Sequence, residues 1–323
     1  MYKNNNSSLL KKNNSYEYKE TTNKKPKKTG ASLYKKEKRA DLEFLMKYIF
    51  FFSAALSVVS LCFIIYFIFS RSLPFLRDYG LLPFLSGEKW TPSNRPQEFG
   101  LLPMIVGSVI VTTGSVLIGA PVGILTAVYL VDYCPPFLYR FLHSAVQLMA
   151  AIPSIVYGFF ALQFLVPIIR SIYGGTGMTA LTAILLLAIM ILPTVISLSE
   201  AALLAVPKEY YAGSAALGAD HEQSIFNVVL PAARSGVLSS VVLGVGRAIG
   251  ETMAVVLITG NQPLMPESLT SGIRTLTTNI VLEMAYATGR HREALIATSA
   301  VLFIFILMIN IGFILMRTKE RSK

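Results

Sequence analysis

Five stretches of this chain run without one Asp, Glu, Lys or Arg for longer than a lipid bilayer is thick. Residues 48–70 and 294–316 hold 23 positions each, 99–131 hold 33, and 141–169 and 171–199 hold 29 each. A helix needs about 20 apolar residues to cross a hydrocarbon core of roughly 30 Å, so every one of these runs is long enough. A sixth, Ser235 to Thr259, would qualify at once but for Arg247 and Glu251. With 53% hydrophobic and 15% charged residues and a mean hydropathy of +0.56, the chain is too apolar for an ordinary soluble domain. The reading is an all-α integral membrane protein. Its six transmembrane helices are expected near 44–69, 101–131, 141–169, 179–204, 235–259 and 294–316.

The net charge of +11 raises the question of nucleic acid, and the placement of the charge argues against it. Thirteen Lys or Arg fall within residues 1–47, immediately before the first span. Summed over alternate sides of the six spans, 20 Lys or Arg lie on the side of the termini and 8 on the other. The positive-inside rule therefore makes both termini cytoplasmic. Residues 1–43, rich in Asn, Lys and Ser, read as a disordered tail that sets topology and touches anionic membrane lipid, and 317–323 as a second basic tail. The first apolar run is too long for the core of a cleaved signal peptide and is expected to stay as a helix. Cys62 lies within the first span and Cys134 in a turn, so no disulfide is expected.

Between the first two spans, residues 71–100 carry Pro74, Pro83, Pro92, Pro96 and the single tryptophan, Trp90, a residue that favours the membrane interface. DYCPP at 132–136 is expected to turn spans two and three into a helical hairpin, and YGGTG at 173–177 to join spans three and four. The longest polar segment, 206–236, reads as a short helix over 212–217, a turn at Gly218, and a second short helix. Asp220 and Gln223 form a capping box at its start, and Leu230-Pro231 is expected to end it.

No G-x-x-x-x-G-K-S/T loop is present to cradle a nucleotide and no H-E-x-x-H to hold zinc, while His143, His221 and His291 fall in separate regions. The chain is therefore read as no enzyme, with no cofactor of its own. The remaining chemistry is Arg247 and Glu251. A charge at mid-bilayer costs about 2.5–3.5 kcal/mol even on insertion scales, so such residues face protein or water and mark a site. Ser240, Gly244, Arg247, Glu251 and Ala254 recur at helical spacing, which sets both charges on one small-residue face. That face is read as lining a translocation route. The alternative is an i,i+4 ion pair that fixes packing, for which Arg before Glu is the less favourable order.

Segment 206–231 resembles the EAA loop of binding-protein-dependent ABC importers. Gly218 is followed by nine residues and then Val228, Val229, Leu230 and Pro231, as in that pattern, while Ala212, Gly213 and Ser214 stand where E-A-A would, and Glu209 offers a substitute acid. FLSGEKWTP (84–92), FGLLPMIVG (99–107), AIPSIVYGFF (151–160) and GRAIGETMAVVLITGN (246–261) are similar to the phosphate-specific permeases, PstC type. The resemblance covers 44–316 and implies a type I ABC importer permease in a bacterial plasma membrane. It further implies a PstA-type second permease, a PstB-type ATPase dimer that binds the ATP, an external phosphate-binding protein, and inorganic phosphate as substrate. Glu209, Ala212, Gly213, Gly218, Leu230 and Pro231 are then expected to couple to the ATPase. A sulfate or molybdate importer is the nearest alternative, and a secondary anion transporter a more distant one.

Overall fold

The computed structural model describes the backbone of residues 30–321 and the side chains of 43–315. Residues 1–29 of the expected tail, and the side chains of the tail at 317–323, lie outside these. Helix α1 spans Gly30–Tyr79 and so begins well before residue 44. Its first turns are rich in Lys, Glu, Ala and Leu, which give up little side-chain freedom in a helix.

The chain divides into two units after residue 62. In the first, residues 48–62 carry no charge and only Ser53, Ser57 and Ser60 as small polar residues, a composition a lipid-solvated helix tolerates. The second unit, 63–323, starts with the rest of α1, then α2 (Leu81–Ser86) and a short antiparallel hairpin in which β1 (Trp90–Thr91) pairs with β2 (Glu98–Phe99). There follow α3 (Leu102–Val128), α4 (Pro136–Ala151), α5 (Ser154–Phe160), α6 (Val166–Tyr173), α7 (Ala180–Leu204), α8 (Lys208–Ala216), α9 (His221–Ser224), α10 (Leu230–Gly250), α11 (Met253–Ile258), α12 (Leu276–Glu283) and α13 (Gly289–Arg321). Among the described residues, six helical stretches are long and apolar enough to cross a membrane: Glu43–Tyr79, Leu102–Tyr133, Ser154–Tyr173, Ala180–Leu204, His221–Gly250 and Gly289–Leu315.

Helix α7 is the centre of the second unit, buried along most of its length and packed between α3 and α10. Gly119 permits the approach of α3, since a Cβ there would sit 2.8 Å from the Ala188 carbonyl oxygen. The core around Leu187, Met190, Ile191, Val255 and Ile258 fills the space between these helices. A second cluster, Phe75, Phe84, Trp90, Phe99, Met104 and Leu295, fixes the hairpin against the ends of α1, α3 and α13.

The first span, expected at 44–69, continues as helix through Pro74 to Tyr79, and two other spans differ from expectation in continuity or place. The third is not one helix over 141–169: Pro153 follows an extended Ile152, so α4 stops at Ala151 and the crossing is made by α5 and α6, joined through a π-helical turn at Ala161–Leu165. The residue before a proline is driven out of the helical region, which accounts for the break. The turn at 132–136 therefore leads into α4, a separate 16-residue helix, and not directly into a span. The fifth span is displaced toward the N-terminus. It begins with α9, continues through a π-helical turn at Ile225–Val229, and ends at Gly250. Leu230-Pro231 does not end a short surface helix but opens α10. Proline lacks an N–H and its ring crowds the carbonyl four residues back, and the wider π-turn accommodates both defects.

Candidate translocation route and coupling surface

Arg247 sits in the last turn of α10, half-buried, and its Nη1 donates to Thr194 Oγ1 on α7 at 3.1 Å. The same face of α10 meets α7 throughout: the hydroxyls of Ser240 and Ser199 lie 2.7 Å apart and Gly244 lies against Val195. Glu251 does not continue this face. The helix stops at Gly250, and Glu251 is extended (φ −69°, ψ 127°). Its Oε1 accepts from the Ala254 amide at 3.1 Å, satisfying one of the unpaired N–H groups at the start of α11. Among the described residues Arg247 and Glu251 form no ion pair, so the i,i+4 arrangement expected from their spacing is absent. The expected placement of Ala254 on the same helical face fails for the same reason.

Glu251 borders a small cavity of about 10 Å³, near the least that one water needs, whose polar wall is Ser108, Thr112, Thr275 and Thr277. Ser108 Oγ accepts from Leu276 N at 2.9 Å, and Thr277 Oγ1 donates to the Glu251 carbonyl at 3.3 Å. A capping box between Thr275 and Thr278 sets the start of α12 at this point. The break in the fifth span is thus surrounded by hydroxyls from α3 and α12, which nothing in the spacing of 235–259 foretold. Gly246 and Gly250 face open space, where added Cβ atoms would meet nothing within 4 Å.

The expected coupling residues divide into two groups. Glu209, Ala212, Gly213 and Gly218 are exposed on or just after α8. Gly218 has φ +92°, a left-handed conformation that a side chain strains, and its turn leads into α9. Both bonds of the Asp220–Gln223 capping box are present, at 2.7 and 3.3 Å, and the Tyr211 hydroxyl lies 2.9 Å from His221 Nδ1, strapping α8 to α9. Leu217 stands 91% exposed at the tip of this unit. Leu230 and Pro231 lie elsewhere: Leu230 packs against a core of Val128, Leu203, Ile225 and Ala233, and Pro231 is in the first turn of α10. The sequence brings all six to one motif, and the structure places four on a surface and two at the root of a span.

Two buried carboxylates escaped sequence reasoning. Glu283 accepts from Arg274 Nη1 at 2.5 Å, Trp90 Nε1 at 2.8 Å and His291 Nε2 at 2.7 Å, and Arg274 also donates to Asn279 Oδ1 at 3.0 Å and to the Asn261 carbonyl at 2.9 Å. Glu200, just beyond an uncharged run, accepts from the Tyr139 hydroxyl at 2.6 Å and contacts His143 Nδ1 at 3.3 Å, tying α4 to α7. The bond to Glu200 raises the Tyr139 phenol above its ordinary pKa. For Glu200 a signal existed, an acid at the end of a span, though the 57 and 61 residues to His143 and Tyr139 hid the pairing; Glu283, on the loop helix α12, carried none.

Residues 119–322 match the family described as binding-protein-dependent transport system inner membrane component. This chain belongs to that family. The permease is 39% identical over 236 residues to a probable ABC transporter permease protein, YqgH, of Bacillus subtilis, covering 71% of this chain and 76% of that protein. It is 32% identical over 278 residues to the phosphate transport system permease protein PstC of Mesorhizobium japonicum, covering 79% of this chain and 84% of that one. In fold it is similar to a chain of a bacterial alginate ABC transporter solved with an alginate-bound periplasmic protein, at a TM-score of 0.59 and 16% identity, covering 87% of this chain and 95% of that one. The permease is a multi-pass plasma-membrane protein with the type I ABC importer fold and is no enzyme.

Proposed function

We propose that this permease forms one half of the route by which an ATP-driven importer carries inorganic phosphate. Its partners in this reading are a PstA-type second permease, a PstB-type ATPase dimer and an external phosphate-binding protein. The observation that supports the reading best is Arg247: a fixed cation inside a membrane span whose one hydrogen bond among the described residues is to a neutral hydroxyl. Phosphate carries one to two negative charges at neutral pH and enters a low-dielectric gap only where a positive donor awaits it. Exchanging Thr194 for a phosphate oxygen costs the guanidinium little, and Arg stays ionised throughout. Glu251, bonded to Ala254 in this state, acts as the competing acceptor that frees the anion when the turn at 251–252 moves. The open face at Gly246 and Gly250 suits close approach by the second permease.

The exposed unit of Glu209, Ala212, Gly213 and Gly218 docks on the ATPase, and Leu230-Pro231 carries its movement into α10. Uptake of labelled phosphate by the reconstituted complex tests the proposal. It should require ATP, and crosslinks from cysteines at Ala215 or Ala219 should reach the ATPase. ATP-independent uptake would favour a secondary transporter instead. Sulfate or molybdate is the rival cargo, since a guanidinium accepts any tetrahedral oxyanion. Uptake of either in preference to phosphate would reassign the substrate.

A further inference from the structure

A cleft of about 510 Å³ opens between α1 and α13 within the second unit, and the proposed transport route makes no use of it. Its walls are two helical stripes. Phe67, Arg71 and Pro74 recur along one face of α1, and Arg292, Glu293 and Ile296 along one face of α13. The two helices run in opposite senses through the membrane, α1 leaving its apolar run at Arg71 and α13 entering its own after Glu293. Phe67 and Ile296 therefore lie on the hydrocarbon side of the cleft and Arg71 and Arg292 on the water side. Neither guanidinium has an ion-pair or hydrogen-bond partner among the described residues, although Glu293 lines the same cleft. An unpartnered Arg at the end of a span ordinarily reaches into water, but here two reach into one shared space.

We propose that this cleft binds a singly anionic glycerophospholipid, with its phosphodiester between Arg71 and Arg292 and an acyl chain along Phe67 and Ile296. Three observations favour that occupant. The lining changes from apolar to cationic along the membrane normal, as a phospholipid changes from tail to head. The cleft carries two positive charges and one negative, a net +1 that complements a lipid of charge −1 and exceeds what a zwitterionic lipid neutralises. The volume falls within the roughly 300–1,000 Å³ of small-molecule sites, and the planar guanidinium fork matches phosphate oxygens. Basic pockets between membrane helices recognise anionic head groups by this same chemistry. Gly289, the first residue of α13, also borders the cleft and adds the electropositive end of a 33-residue helix.

The test uses the assembled importer, purified in detergent with equal amounts of phosphatidylglycerol and phosphatidylcholine, with retained lipid counted by native mass spectrometry. Phosphatidylglycerol should be retained at least fivefold over phosphatidylcholine. The double variant Arg71→Gln/Arg292→Gln should lose that preference while ATPase activity of the complex is kept, and Glu293→Gln should strengthen it. Equal retention of both lipids by the native complex, or an unchanged preference in the double variant, would overturn the proposal. Stripping of the retained lipid by millimolar inorganic phosphate would instead make the cleft an anion site. A helix of the second permease filling the cleft would appear as no retained lipid at all and would equally overturn it. Should the double variant fail to assemble, Glu293→Gln decides alone: an unaltered ratio counts against the lipid.

Discussion

Arg247 and Glu283 both belong to polar groups enclosed by apolar helices, yet they are bonded in opposite ways. Glu283 accepts three hydrogen bonds, two of them from potentially cationic groups, and is 6% exposed. Arg247 offers five N–H donors and spends one of them on a neutral hydroxyl. A saturated buried charge fixes geometry, because any movement strands it without solvent or partner. An undersatisfied charge holds donors in reserve for something that comes and goes. In the proposed reading, the 274–291 cluster is scaffold and the end of α10 serves transport.

The strongest challenge to that division is Arg247→Gln. The variant should assemble at normal yield and lose at least 99% of phosphate uptake, while Arg247→Lys keeps a measurable part because a point charge remains. Native uptake by the Gln variant would place Arg247 among the scaffold residues. Next is Glu283→Ala, which strands Arg274 and should cost about 3–5 kcal/mol of stability, read as a lowered melting temperature of the purified complex. Uptake lost without a fall in melting temperature would move Glu283 to the transport side. Glu251→Gln is expected to slow turnover several-fold and cost less than about 1 kcal/mol, since an amide oxygen still accepts from Ala254. Stopped-flow or single-turnover uptake would separate slow release from weak binding. Smallest is Ser240→Ala, which removes one neutral hydrogen bond to Ser199 and should lower stability by about 1 kcal/mol with uptake unchanged.

Spans two and four were legible almost to the residue, expected at 101–131 and 179–204 and found at Leu102–Tyr133 and Ala180–Leu204. An uncharged run records what lipid tolerates, and in these two stretches the helix is also continuous through Pro121 and Pro193. Spans three and five were misread because the same runs say nothing of backbone continuity. Pro153 and the pair Glu251-Thr252 interrupt the helix inside otherwise acceptable stretches. At the candidate site, the cost of charge in lipid pointed to Arg247 and Glu251, but not to Thr194 or the Ala254 amide, which come from another helix and from the backbone. The Gly218 turn and the Asp220–Gln223 box were readable because both are local. Glu283 was not, because Trp90 stands 193 residues away and the closer Arg274 and His291 flank a loop helix whose packing no periodicity announces.

The unbroken run from His221 to Gly250 joins the surface unit to the arginine, and in the proposed reading it makes them two ends of one lever. Thirty residues at about 1.5 Å each make an arm of about 45 Å, so a tilt of about 5° at one end displaces the other by about 4 Å. The π-turn keeps that arm whole across Pro231, where a plain helix would have buckled. The break at 251–252, where Glu251 is extended and Thr252 leaves the helical region, would then serve as a wrist in the proposed reading, with α11 held against α5. Stiffening the wrist, rather than shortening the arm, is the change that would lock such a machine in a single posture.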